Sequence, residues 1–147
     1  MIRDWEGRGM DEWQGEFTRI FTLTEACALL PTIKDQFRRF HRAREAAVWT
    51  AEELEAMEGK RTRANTLEFA RPLRARREAL GALNAEMREA VSAVQDLGVV
   101  IKRLSPALID FPSVRGDRVI FLCWQDGEET IRHWHEIDAG FAGRRPL

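Results

Sequence analysis

The sequence predicts an α+β protein: a long antiparallel helical hairpin preceded by a short helix, then a three- to four-stranded antiparallel β-meander and an ordered C-terminal tail. Three observations predict it. Apolar residues recur at heptad spacing from Ile33 to Leu97, the period drops to near two after Gly98, and turn residues then interrupt the chain at short intervals. A chain of 147 residues suits one domain with its own core, burying roughly two thirds of its unfolded surface. Residues 1–20 read as a poorly ordered arm, and residues 21–147 as the domain, with the hairpin over about 23–97 and the meander and tail over about 98–147.

The arm mixes glycines, charges and two tryptophans, Trp5 and Trp13, without a period. The first firm signal is Phe21-Thr22-Leu23-Thr24-Glu25, where Thr22 and Glu25 satisfy each other's backbone amides as a capping box. Pro31 cannot donate to the preceding turn, so this first helix is expected to end or kink there, with Thr32 capping the next. From Ile33 the line Ile33, Phe40, Ala47 and Leu54 runs beside Phe37 and Ala51, with Gly59 as a stop. Thr50 and Glu53 repeat the capping pattern and mark a second place for a break. In the next helix Leu73, Leu80, Met87 and Val94 form one line and Phe69, Leu83, Ala90 and Leu97 the other, while Pro72 either starts that helix or kinks one begun near Asn65.

Beyond Gly98, four runs read as strands: Val99 to Ile101, Leu108 to Phe111, Val119 to Trp124 and Thr130 to His135. Asp126-Gly127 favours a two-residue hairpin turn, which sets Trp124 opposite Glu129, Leu122 opposite Ile131 and Ile120 opposite His133. In that register His133 and His135 share a face with Ile120, Leu122 and Trp124, and Asp110 lies on the opposite one. Val-Ile-Phe-Leu-Cys-Trp is apolar to both sides, so both surfaces of the strand need a cover. The hairpin supplies one, and a second subunit, the opening helix or the tail supplies the other. A homo-oligomer, a dimer, is therefore expected.

Charge and composition exclude more than they identify. The 23 basic and 24 acidic residues nearly cancel, so the chain is no polycation. Cys27 and Cys123 sit in a helix and a strand respectively, no apolar leader opens the chain, and no apolar run approaches the ~20 residues of a membrane span. A soluble protein of the reducing cytoplasm, without a structural disulfide and without a membrane partner, is expected. The charge is unevenly spread: Lys34 to Arg77 holds 12 basic and seven acidic residues. Arg38, Arg39, Arg42, Arg71, Arg74 and Arg77 are the candidate residues for nucleic acid or another polyanion, on the expectation that folding about Gly59 brings the two arginine groups to one level. Arg44 and Arg76 fall on the apolar lines and suggest ion pairing across the seam.

His133 and His135, with Glu136 and Asp138 just beyond, are the candidate metal ligands. No organic cofactor is expected, and a divalent metal is the one candidate. Cys123, in mid-strand among apolar neighbours, is a poor nucleophile because burial raises a thiol's pKa. In the tail, Gly140 and Gly143 allow unusual backbone or close approach, Phe141 can plug a gap, and Arg144 can reach a carboxylate or an anion. Asp110, Trp124, Trp134, His135, Phe141 and Arg144 form the candidate ligand or tail-closure set.

The stretches Leu108-Ile109-Asp110-Phe111-Pro112, Gly116-Asp117-Arg118, Leu122-Cys123-Trp124, Gly127-Glu128, Trp134-His135 and Gly140-Phe141-Ala142-Gly143-Arg144 resemble an uncharacterised prokaryotic family, domain-of-unknown-function family 2203. Phe21-Thr22-Leu23 through Leu29-Leu30-Pro31 is similar to its opening. The resemblance covers about Phe21 to Leu147 and implies boundaries, with no activity attached. Two departures are visible: Gly116-Asp117 stands in the reverse order, and Gln125 replaces a basic residue. Three functions follow in order: a non-enzymatic, self-associating interaction or scaffold protein; a polyanion binder through the hairpin arginines; and a metal-dependent enzyme around His133 and His135.

Overall fold

The computed structural model of the chain describes residues 16–147. Its elements are α1 (Leu23–Lys60), α2 (Thr66–Gln95), β1 (Val100–Leu104), β2 (Ala107–Arg115), β3 (Arg118–Gln125), β4 (His133–Glu136) and β5 (Arg145–Pro146). The fold is α+β, with two long helices followed by one antiparallel sheet whose spatial order follows the chain, β1-β2-β3-β4-β5. The chain divides into two compact units, one made of Met1–Lys34 with Val94–Leu147 and the other of Asp35–Ala93. The expected arm lies mostly outside the described residues, and so do Trp5 and Trp13.

In the first unit the capping box forms as the sequence predicts: the Thr22 amide donates to Glu25 Oε2 at 2.8 Å and the Glu25 amide to Thr22 Oγ1 at 3.2 Å. Phe21, just before the cap, is tied to the sheet. Its amide donates to the Pro112 carbonyl at 2.7 Å, its carbonyl accepts from Ser113 Oγ at 2.6 Å, and its ring meets Phe111 edge to face at 5.3 Å. Lys34 reaches the Glu129 carbonyl at 3.0 Å and lies over the Trp124 ring, while Cys27 Sγ is 3.4 Å from Thr130 Oγ1. One face of the sheet is therefore met by the opening turns of α1.

The separate short helix is not found, because α1 is continuous through Pro31. The buried stripe explains it. Ala26, Leu30 and Ile33 are buried on both sides of the proline, whereas Pro31 and Thr32 are exposed, so the pyrrolidine ring sits on the outer face of the helix. Thr50 likewise makes no break; its hydroxyl donates back to the Ala46 carbonyl at 2.8 Å inside the helix. Pro72 is also internal and exposed, in a helix that starts at Thr66.

The second unit is the hairpin proper. Phe37, Phe40, Ala43 and Ala47 of α1 and Leu73 and Ala90 of α2 are buried, but Phe69, Leu80, Leu83 and Met87 are only half-buried. Asn65 organises the turn, accepting from the Thr62 amide at 2.6 Å and donating to the Lys60 carbonyl at 3.1 Å.

The β3–β4 register differs from the expected one. Asp126-Gly127 does form a turn, with Gly127 at φ 101 and the Glu128 amide on the Gln125 carbonyl at 3.0 Å. The chain does not return at once, however. Trp124 Nε1 and the Gln125 amide hold Glu128 inward at 2.9 and 2.8 Å, and Ile131 leaves the ladder to be buried. Pairing resumes as Phe121 opposite His135, Leu122 opposite Trp134 and Cys123 opposite His133. Relative to the expected pairing this is a shift by an odd number of residues, and an odd shift turns every side chain to the other face. Trp134 therefore joins Ile120, Leu122 and Trp124, while His133 and His135 join Phe121, Cys123 and, through its pairing with Cys123, Asp110.

Both sides of β3 are buried within this one chain, with Ile120, Leu122 and Trp124 at 1–3% exposure and Val119, Phe121 and Cys123 at 0–4%. The strand pattern thus creates no demand for a second subunit at the sheet. The tail adds a fifth strand: β5 pairs with β4, and the Leu147 amide donates to the Arg132 carbonyl at 3.0 Å.

Candidate functional site

Strands β2, β3 and β4 each place one chemically capable side chain on the same sheet face. Asp110 stands beside its pairing partner Cys123, and His135 lies two residues past the partner of Cys123. Their ligand atoms all lie within 4.8 Å of one another, and the three residues are at most 1% exposed. The imidazole is held from both sides: Nδ1 is 2.7 Å from the Glu136 carbonyl oxygen, and Nε2 is 3.0 Å from each oxygen of the Asp110 carboxylate. Lys102 Nζ is 3.9 Å from Asp110 Oδ2 and lies over the Phe121 ring, which also meets Phe17 edge to face at 5.4 Å.

The electrostatics follow from burial and from Asp110. Burial pulls the His135 pKa down, but the hydrogen bonds to Asp110 and to the Glu136 carbonyl outweigh it, and the ring titrates above its usual value. Burial first, and then the charge of Asp110, push the Cys123 thiol up to about 12. A thiol held neutral is no nucleophile. The order across the strands matters too: the imidazole bonds to the carboxylate rather than to the sulfur, so the relay needed to activate Cys123 is not assembled.

Of the metal ligands expected from the sequence, His135 alone enters this cluster. His133 Nδ1 is 3.5 Å from Glu128 Oε1 and makes no hydrogen bond among the described residues. Glu136 lies on the other face and pairs with Arg118 at 3.0 Å, and Asp138 is exposed beyond the strand. Asp110 and Cys123 complete the cluster, although the expected register puts Asp110 on the face away from the histidines. A signal for Asp110 was present: a lone carboxylate within the apolar run Ala107 to Pro112 must have a buried partner.

The tail-closure set also separates. Asp110 and His135 share one face, and Trp124 and Trp134 share the other. Phe141 plugs nothing, at 46% exposure. Arg144 is the clamp, with Nη2 donating to both oxygens of Glu128 at 2.6 and 2.7 Å. Gly140 takes φ 62, and a Cβ on Gly143 would stand 2.5 Å from that of Ala139, so one glycine is required by conformation and the other by space.

The hairpin arginines do not form one patch. Arg39 pairs with Glu86 and Glu89 at 3.2 and 2.7 Å, and those hydrogen bonds, Glu89 first, raise its pKa. Arg76 pairs with Glu53 at 3.3 Å across the seam, Arg77 with Glu58 at 2.6 Å, and Arg38 with Asp35. Arg39 therefore stands level with Glu86 and Glu89, while Arg76 and Arg77 stand level with Glu53 and Glu58, about 20 Å or more further along at ~1.5 Å per residue. The heptad lines were compatible with several offsets between the helices, and the ion pairs select this one. Arg42, Arg71 and Arg74 make no ion pair among the described residues.

The family model described as Uncharacterized conserved protein (DUF2203) matches residues 19–147. The chain belongs to that family. The DUF2203 match takes in both helices, all five strands and the Asp110, Cys123 and His135 cluster. Its description names no activity, and comparison with curated proteins and with solved structures gives no match for this DUF2203 chain. Among the described residues no helix is long and apolar enough to cross a membrane.

Proposed function

We propose that this protein is a non-enzymatic interaction module that self-associates through its helical hairpin, the partner being a second copy of the chain. The observation that supports it most is Val48 and Trp49, adjacent on α1 and 54% and 68% exposed. Around them His41, Arg42, Arg44, Glu45 and Ala46 line a shallow depression. On α2, Phe69, Leu80, Leu83 and Met87, from both heptad lines, are only half-buried.

A two-helix hairpin has one seam, and helices with apolar residues on more than one line need a further layer. A second hairpin supplies it as a four-helix bundle. A two-fold axis through the depression would set Glu45 of each copy near an arginine of the other, although the lining as a whole is net basic. Light scattering after size exclusion, run over a dilution series, tests this: twice the chain mass for the wild type and a single-chain mass for Trp49→Glu. A wild type with a single-chain mass throughout would sink the reading.

A second reading, polyanion binding, draws on Arg71 and Arg74, which have no carboxylate partner among the described residues, and on Lys60, Arg61 and Arg63 at the hairpin turn. Salt-sensitive binding of a nucleic acid, weakened in Arg71→Glu and Arg74→Glu but not in Trp49→Glu, is the pattern it requires.

A further inference from the structure

The proton inventory of His135 raises a question. Both ring nitrogens point at acceptors, Nδ1 at the Glu136 carbonyl and Nε2 at the two oxygens of the Asp110 carboxylate. A neutral imidazole has one N–H, so one of these contacts sets a lone pair against an oxygen unless something positive stands between them. A second ring proton is one solution. A metal cation is the other, and three features favour it.

The first is orientation. A ring that donates Nδ1–H to a backbone carbonyl and turns Nε2 inward is arranged as metal-bound histidines are, with the carbonyl fixing the tautomer. The second is the ligand set, since imidazole nitrogen, carboxylate oxygen and sulfur within 4.8 Å of one another suit a borderline divalent cation. The third is support: each ligand comes from a different, neighbouring strand of one sheet, so the ladder presets their spacing.

From this geometry we infer that Asp110, Cys123 and His135 form a zinc site that ties β2, β3 and β4 together. Binding exchanges protons for metal. Zn²⁺ takes the sulfur as thiolate and the Nε2 lone pair, and the protons those atoms carried leave to solvent, while Asp110 contributes a carboxylate oxygen. Three protein ligands leave one coordination position of a tetrahedral zinc to water or a small anion, and near-complete burial keeps larger molecules from it, so the metal would brace the strands rather than turn over a substrate. The inference stands apart from self-association, which concerns other residues.

The test uses the full chain without a histidine tag, reduced, stripped with chelator and then titrated with Zn²⁺ or Co²⁺. Expected are one equivalent of zinc bound, a rise in melting temperature, and a thiolate-to-cobalt charge-transfer band with Co²⁺. Cys27→Ala should keep the band, since Cys123 is then the only thiol present, and Cys123→Ser should lose it. No band and no thermal shift in either the wild type or Cys27→Ala would overturn the inference, as would a band that survives in Cys123→Ser. If Cys123→Ser fails to fold, the wild type and Cys27→Ala decide the matter.

Discussion

At the scale of single residues, the first unit is held by a few polar contacts that each join distant parts of the chain. Glu128 accepts from Arg144 and from the Gln125 amide, and Arg144 is buried to 12% side-chain exposure, so the pair fixes the loop after β3 and the tail at once. Arg144→Ala should cost about 2 kcal/mol, the range for hydrogen bonds to a charged group, and should be read by urea unfolding. Gly98 has φ 90, and a Cβ there would meet that of Arg19 at 2.8 Å. Gly98→Ala should therefore destabilise by about 2 kcal/mol, with no change in the helix signal of the folded protein. For Glu25 the hydrogen bonds from the Thr22 amide and hydroxyl lower the folded pKa. Its stabilisation is present above the ordinary carboxylate range and lost as pH falls through the lowered value. Thr22→Ala should flatten that acid limb of the stability profile.

The helices and the sheet differ in how they respond to substitution. Gly81 is exposed in mid-helix with open space where a methyl group would stand, so Gly81→Ala should stabilise by about 1 kcal/mol on helix propensity alone. Pro31→Ala should also stabilise, by about 2 kcal/mol, because α1 runs through that position and the substitution restores a missing amide donor. Both are checked by thermal melts. Most of the element plan is legible in the sequence: the heptad lines mark α1 and α2, the Thr22 and Glu25 pair marks the start, and period-two runs mark the strands. Two elements are not. Pro31 reads as an end because local chemistry cannot see that Leu30 and Ile33 continue one buried stripe. The β3–β4 register misleads because Asp126-Gly127 looks like a complete hairpin turn, when side-chain contacts to Glu128 open the loop. In the expected register His135 and Asp110 lie on opposite faces, and the odd shift is what brings them together.

For the molecule as a whole, the proposed assembly has a thermodynamic signature. A dimer held by the hairpin melts at a temperature that rises with protein concentration, and Trp49→Glu should remove that dependence. The sheet should be indifferent to the same substitution, since β3 is buried on both sides within a single chain. The route of the chain through its two units carries one more consequence. The hairpin leaves the first unit after Lys34 and returns at Val94, and the bond from Ser113 to Phe21 closes a span of 92 residues. Closure entropy grows only as the logarithm of that span, about 0.6 kcal/mol for each doubling. The helical unit can therefore be lengthened or shortened by whole heptads at little cost in closure entropy, whereas the sheet, with both sides of β3 buried, has no such latitude.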